Sequence, residues 1–149
     1  MSSQELPAGA EALAPHQRDF LADILASEFY RWCGVEVLEI GGEESRLRFR
    51  PRSEMLAPWG TLNGSLLNAL LELPSFLALL PKLEAEEGAV TNDIFIQQLR
   101  AVPGDAEVTL RGRLLRRSRS MAWTEAEARV EDRLCATARI TKSVVPTQR

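Results

Sequence analysis

Hydrophobic and polar positions follow two different periods along the chain. Apolar residues recur about every 3.6 positions from Phe20 to Trp32, and Gly34 follows them. This spacing predicts an N-terminal amphipathic helix over 16–32 that ends at the glycine. Residues 1–15 are rich in Ala, Gly, Ser and Glu, and we expect them to form a loose N-terminal tail.

The chain then changes to a period of two. Residues 35–50 contain two alternating runs around the Gly41-Gly42 pair, a pattern typical of a β-hairpin. Four later runs also alternate, and turn residues separate them. The corresponding strands are predicted over 89–99, 106–116, 120–130 and 134–144.

Residues 63–80 interrupt this alternation. They are mostly helix-favouring, and leucines occupy nearly every side of the helix that they would form. A helix that is apolar all round is buried all round. Strands grouped beside such a helix predict an α+β protein whose antiparallel sheet wraps around one long buried helix, in a single domain over 16–145.

Composition narrows the class of protein. The 149 residues carry a formal net charge of -3 at pH 7, and 45% are hydrophobic. These values are typical of one globular domain and argue against a nucleic-acid partner, since dedicated nucleic-acid binders are normally basic. Cys33 and Cys135 lie in apolar surroundings and are expected in the core. His16 is the single histidine, and with no cysteine pair at ligand spacing we expect no metal site.

The sequence also predicts the compartment. No basic segment is followed by an apolar one near the N-terminus, so no signal peptide is predicted. The longest apolar run, over 66–80, is too short and too polar to span a bilayer. We therefore expect a cytoplasmic protein with no membrane partner.

Glu72 is the one charged residue in the predicted helix over 63–80. An unpaired buried carboxylate is costly, so Glu72 must either pair or take up a proton. One interpretation is a catalytic base or nucleophile in a pocket. The other interpretation is a structural glutamate, which either lies on a narrow solvent-exposed stripe of the helix or pairs with a buried arginine.

A run of small residues, 60–65, opens the same helix. Helix N-termini present free N–H groups and the positive end of the helix dipole, so they can hold an anion or a developing oxyanion. The alternative is simple N-capping by Asn63 or Thr61.

Five arginines crowd one predicted strand and its turn. Arginines in such a cluster can clamp a phosphate, or they can form the solvated edge of a hairpin. The residues at 116–119 lie in the turn and could reach a ligand. The five are Arg111, Arg113, Arg116, Arg117 and Arg119.

These residues together resemble a known family. The stretch from Gly60 to Ser65, with Glu72 eight residues after Gly64, looks like the signature of hotdog-fold acyl-CoA thioesterases of the phenylacetate-degradation (PaaI) type. The downstream run VTNDIFIQQLRAVPGD and the Arg-rich and Ala-rich strands after it are similar to that family as well. The resemblance covers about residues 20–145.

The resemblance implies a thioesterase that releases a free acid and CoA, with no cofactor because CoA is part of the substrate. It implies that Glu72 is the general base or nucleophile and that the Gly64 N–H polarises the thioester carbonyl beside Asn63. Basic residues of the 116–119 turn would approach the nucleotide end of CoA. The residues expected to bind substrate are Ser65, Asn68, Phe76, Arg116, Arg117, Ser118 and Arg119.

Helix geometry adds a constraint of its own. Eight residues span about 12 Å along a helix, so Gly64 and Glu72 of one chain cannot both touch one carbonyl. If both act, Glu72 of one subunit faces Gly64 of another. We therefore expect a homodimer, or a homotetramer built from dimers.

Two other classes of function stay open. The family usually has a polar residue at position 57 and Thr or Ser at position 76, where this chain has Ala57 and Phe76. It also usually has His and Gly where Asn63 and Ser65 stand. A non-catalytic hotdog protein that carries or senses acyl-CoA is therefore an alternative. A hotdog hydratase or dehydratase would need a catalytic histidine, and His16 is badly placed for that; a structural oligomer without a ligand is a further alternative.

Overall fold

The computed structural model describes residues 6–147 and confirms an α+β architecture. Six strands form one antiparallel sheet in the order β1-β2-β4-β5-β6-β3, and the long helix α3 contacts every strand. The helices are α1 (Pro15–Ala26), α2 (Glu28–Cys33) and α3 (Gly64–Leu79), and the strands are β1 (Glu36–Gly41), β2 (Glu44–Phe49), β3 (Glu87–Gln98), β4 (Val108–Arg117), β5 (Met121–Val130) and β6 (Arg133–Pro146).

The N-terminal region differs from its prediction in two ways. The helix predicted over 16–32 is two helices, because Ser27 has an extended backbone and its hydroxyl accepts a hydrogen bond from the Tyr30 N–H. The segment expected to be a loose tail packs on the sheet: the Ala8 N–H donates to the Leu38 carbonyl, and the side chain of Leu13 is buried. Residues 1–5 of that predicted tail lie outside the described residues.

The core helix α3 is buried on most sides, as predicted, but not on all. Its leucines fill the space against the sheet, and five residues at helical spacing remain exposed or half-buried along one face. We call this face the open stripe; it consists of Ser65, Asn68, Ala69, Glu72 and Phe76. By length and apolar composition, the stretch Gly64–Lys82 would pass as a membrane span, but 61% of it is buried inside the protein, as a core helix is.

Helix α3 approaches the sheet closely at Pro74. The Ser45 hydroxyl donates a 2.6 Å hydrogen bond to the Pro74 carbonyl oxygen. A Cβ atom on Gly112, the cross-strand partner of Ser45, would overlap the same carbonyl. The cross-strand row that contains Ser45 and Gly112 continues with Ala126 on β5 and Ala138 on β6. Because these residues are small, the helix lies deep in the curve of the sheet.

We expect Gly112→Ala to destabilise the fold by about 1–3 kcal/mol, because the added methyl group must push α3 away from the sheet. The measurement is chemical denaturation of the purified variant. Arg111→Ala is the matched control, since Arg111 is the neighbouring residue on the exposed face, and its loss should change the unfolding free energy by less than about 0.5 kcal/mol. Equal stability of the two variants would contradict the close approach.

Candidate active site in two halves

The first half of the site is the N-terminus of α3. The Asn63 side-chain oxygen accepts a hydrogen bond from the Ser65 N–H at 2.9 Å, and the Asn63 carbonyl accepts from Leu66 and Leu67. Asn63 is therefore the N-cap. Among the described residues none accepts a hydrogen bond from the Gly64 N–H, so this donor at the helix N-terminus has no partner there.

An open cleft of about 390 Å³ lies in front of this N–H group. The loop before α3 forms one wall, where the Trp59 side chain is 77% exposed. Asn68 of α3 and Gln98 of β3 form the opposite side. A helix N-terminus with an unpaired donor beside a cleft can stabilise an oxyanion.

Gln98 fixes this end of the helix to β3. Its amide nitrogen donates to the Gly64 carbonyl at 2.9 Å and to the Asn68 side-chain oxygen at 2.8 Å. Sequence reasoning did not single out Gln98. As a result Asn68, which we expected to bind substrate, presents its amide oxygen to Gln98 in this structure.

The second half of the site is centred on Glu72, whose side chain is 24% exposed on the open stripe. Its Oε2 atom accepts a 2.6 Å hydrogen bond from the Lys142 ammonium and a 3.1 Å bond from the Thr91 hydroxyl. The Thr91 oxygen accepts a second bond from Lys142 at 2.9 Å. No described residue donates to Oε1 of Glu72, which is therefore the carboxylate oxygen left for other partners.

Lys142 is the residue of this cluster that sequence reasoning missed. Its side chain is buried, and it occupies an inward position of β6 in the row of Ala138, Ile140 and Val144. Residues two apart on a strand face the same side, so a lysine in this apolar row was a readable signal. The sequence interpretation allowed for a buried arginine as the partner of Glu72, and the structure shows a buried lysine.

A bulge in β3 allows side chains of this one strand to reach both halves of the site. Thr91 pairs with Lys142, but the register then shifts between Thr91 and Asp93. Alternation alone would place Thr91 and Gln98, which are seven residues apart, on opposite faces of the sheet. The extra residue reverses the alternation, so both side chains reach α3.

The N-terminal helices cover the far end of the open stripe. Phe76, expected to line the acyl site, stacks on Phe20 of α1 with ring centroids 5.1 Å apart. Tyr30 of α2 is half-buried, and its pKa is raised above 10.0 by burial and, next, by the negative charge of Glu72. Phe20 and Tyr30 thus place an aromatic wall beside the catalytic candidate.

The arginines of the β4–β5 turn have different partners. Arg117 forms an ion pair with Glu87, and the guanidinium of Arg116 lies 5.5 Å from the centre of the Trp123 ring. Ser118 closes the turn through hydrogen bonds with Met121. Arg119 is exposed, with no described hydrogen-bond or ion-pair partner. The structure therefore leaves Arg119 and the outer face of Arg116 open to a ligand.

A wider concavity of about 1330 Å³ runs over the outward face of the sheet, where Arg113 and Arg139 both pair with Glu125; it lies away from Gly64 and Glu72. Within residues 6–147, no three His, Cys, Asp or Glu side chains come together in a group that could hold a metal ion.

The β3 edge lies beside both halves and has an apolar surface. β3 pairs only with β6, so its other side is open over 12 residues. Four large apolar side chains in β3 or directly after it are more than 40% exposed: Val90, Ile94, Phe95 and Leu99. Long exposed apolar edges are prone to pair with another chain.

The fold matches those of solved hotdog proteins. A thioesterase from Haemophilus influenzae is 26% identical, with a TM-score of 0.78, and the match covers 86% of this chain and 90% of that one. A mutant form of the phenylacetic acid degradation protein PaaI from Thermus thermophilus is 25% identical, with a TM-score of 0.72 over 78% of this chain and 98% of that one. The PaaI protein of E. coli is 13% identical at a TM-score of 0.78, over 87% and 93% of the two chains.

The chain has the hotdog fold, and its predicted resemblance to thioesterases of the PaaI type is confirmed. No protein-family model matches the sequence, and no curated protein matches it. The fold and the resemblance are therefore assigned from structural similarity to proteins that are about one quarter identical in sequence.

The proximity of Tyr30 to Glu72 is open to direct measurement, because Tyr30 is the single tyrosine of the chain. Glu72→Gln removes a negative charge that raises the pKa of Tyr30. We expect that pKa to fall towards 10.0 while staying above it, since burial persists. Absorbance of tyrosinate against pH measures the shift. Glu28→Gln, which removes the same charge two residues from Tyr30, should leave the titration unchanged; a fall in both variants would show a non-specific effect.

Proposed function

We propose that the protein hydrolyses an acyl-CoA thioester to the free acid and CoA, at a site that two copies of the chain build together. The observation that carries this proposal is the unpaired Gly64 N–H at the mouth of a cleft, with Glu72 on the open stripe of the same helix. The thioesterases and phenylacetate-degradation proteins of the same fold support the reaction class.

Two copies are needed because of the length of the helix. Gly64 and Glu72 are separated by about 12 Å along α3, which exceeds the reach of one thioester group. Pairing of two β3 edges would cover the exposed apolar side chains of that strand and lay the open stripes of two α3 helices side by side. In such a symmetric dimer the Gly64 of each copy meets the Glu72 of the other, and the dimer holds two equivalent sites. Dimers could pair further into a tetramer.

In the general-base form of the reaction, Glu72 takes a proton from a water molecule whose oxygen attacks the thioester carbon. The Gly64 N–H donates to the oxyanion that forms. The carbon–sulfur bond then breaks, and the CoA sulfur leaves with the proton that Glu72 had accepted. In the alternative form, Glu72 attacks directly, CoA leaves as the thiolate, and water hydrolyses the acyl–glutamate anhydride.

Substrate would enter between the subunits. Trp59, Ser65 and Asn68 line the cleft at the carbonyl end, and the stacked rings of Phe20 and Phe76 would face the acyl group. Arg116 and Arg119 are the turn arginines free to meet the nucleotide, whereas Arg117 and Ser118 would position that turn. We propose that neither a metal nor a resident cofactor takes part and that the enzyme works in the cytoplasm.

A carrier or sensor of acyl-CoA is the second candidate function. The observation that favours it is that two groups near the reacting position already have partners within the protein. Phe76 is stacked on Phe20, and Oε2 of Glu72 is paired with Lys142. Such a protein would bind acyl-CoA through the same cleft without turning it over.

The reaction itself is tested by CoA release from short, medium, long and aromatic acyl-CoAs. We expect turnover on at least one of them, and we expect Glu72→Gln to lower kcat about 10²-fold or more, because an amide can neither accept the proton nor attack. Glu43→Gln, at an exposed glutamate of the β1–β2 turn, is the control and should match the wild type. Binding without turnover in the wild type would favour the carrier or sensor.

The shared site is tested with two complementary variants. Gly64→Pro removes the N–H at the first helical position, where proline is tolerated, and should lower kcat about 10²-fold. Gly64→Ala is the matched control, because it keeps the N–H and brings a Cβ to the same contact, 2.8 Å from the Gln98 side chain.

Mixing Gly64→Pro with Glu72→Gln should then restore activity. After subunit exchange at equal amounts, half of the dimers are hybrids with one intact site, so about a quarter of the wild-type rate is expected. Sedimentation of the same samples checks that dimers are present. No recovery in exchanged hybrids, or an active monomer, would refute the shared site.

A further inference from the structure

The side chain of Lys142 is buried, so water solvates its positive charge poorly. The residue is 2% exposed, and its strand neighbours on the same face are Ile140 and Val144. A buried ammonium is costly unless it is paired and hydrogen-bonded. Its described acceptors are Glu72 and Thr91, both at 2.9 Å or less. The lysine therefore has its partners at the proposed reaction centre.

The three residues form a closed triangle of hydrogen bonds. Lys142 donates to Oε2 of Glu72 and to Thr91, and the Thr91 hydroxyl donates to the same Oε2. Thr91 and Lys142 are direct cross-strand partners on β3 and β6, so the sheet holds them in register. Two charge-assisted bonds on one oxygen fix the rotamer of the carboxylate and leave Oε1 without a partner among the described residues.

We propose that Lys142, together with Thr91, is a positioning residue that holds Oε2 of Glu72 and presents Oε1 as the working oxygen. This inference rests on the proposed thioesterase function and adds to it. Lys142 touches neither substrate nor water in this scheme. It acts through Glu72, by orienting the carboxylate on the mostly buried helix α3.

The experiment compares kcat and KM for Lys142→Met and for the matched pair Thr91→Val and Thr91→Ser. We expect Lys142→Met to lower kcat about 10²-fold with little change in KM, since a misplaced base costs that much. Thr91→Val should show a smaller loss of kcat, and Thr91→Ser, which keeps the hydroxyl, should recover most of it.

A double variant separates positioning from a structural role. If Lys142 acts through Glu72, then adding Lys142→Met to Glu72→Gln should cause no further loss of the residual rate. An equal fold-loss in both backgrounds would overturn the proposal, as would a wild-type kcat in Lys142→Met. Should Lys142→Met fail to fold, equal rates of Thr91→Val and Thr91→Ser would overturn it instead.

A second readout distinguishes failure of this inference from failure of the proposed function. In protein labelled with carboxyl-13C glutamate, the Glu72 signal is identified by its absence in Glu72→Gln. Its chemical shift should differ between Lys142→Met and the wild type, because the substitution removes the hydrogen bond from Lys142 to Oε2. An active wild type with an unmoved Glu72 signal overturns the positioning role alone, whereas an inactive wild type with a moved signal overturns the catalytic function and leaves only the pairing.

Discussion

The contact between α3 and the sheet at Pro74 sets the geometry on which the rest of the structure depends. Ser45 binds the Pro74 carbonyl, and Gly112 leaves room for it. Because small residues continue the row across β5 and β6, the helix lies deep in the curve of the sheet and buries its leucines there. The face that remains open is then fixed, and it carries Glu72 along the side of β3.

The edge strand β3 joins the two halves of the site. Its bulge reverses the alternation, so Thr91 reaches Glu72 and Gln98 reaches the N-terminus of α3. The same strand has an unpaired edge and exposed apolar side chains. One element therefore positions both candidate groups and offers the surface that a second copy would cover, which couples the proposed assembly to the proposed chemistry.

Hydrogen bonds at the site pair the supporting polar groups and leave the candidate reacting atoms without partners. Asn63 satisfies the N–H groups of Ser65, Leu66 and Leu67 and leaves that of Gly64 open. Lys142 and Thr91 satisfy one oxygen of Glu72 and leave the other open. Buried polar groups normally find partners, so an open donor and an open acceptor at the rim of a packed helix are the exceptions that indicate function.

The sequence by itself determined the order of elements, the core helix and the two anomalies within it, because hydrophobic periodicity and a lone Glu72 in an apolar run are local signals. It also supported the family resemblance through the spacing of Gly64 and Glu72. Only the tertiary structure decided the partners: Lys142 lies 70 residues from Glu72 in sequence, and the bulge that aligns Thr91 with Gln98 depends on pairing between β3 and β6. The packing of Leu13 was likewise settled by contacts between elements. The break at Ser27 is instead a local N-cap, which hydrophobic periodicity alone does not reveal.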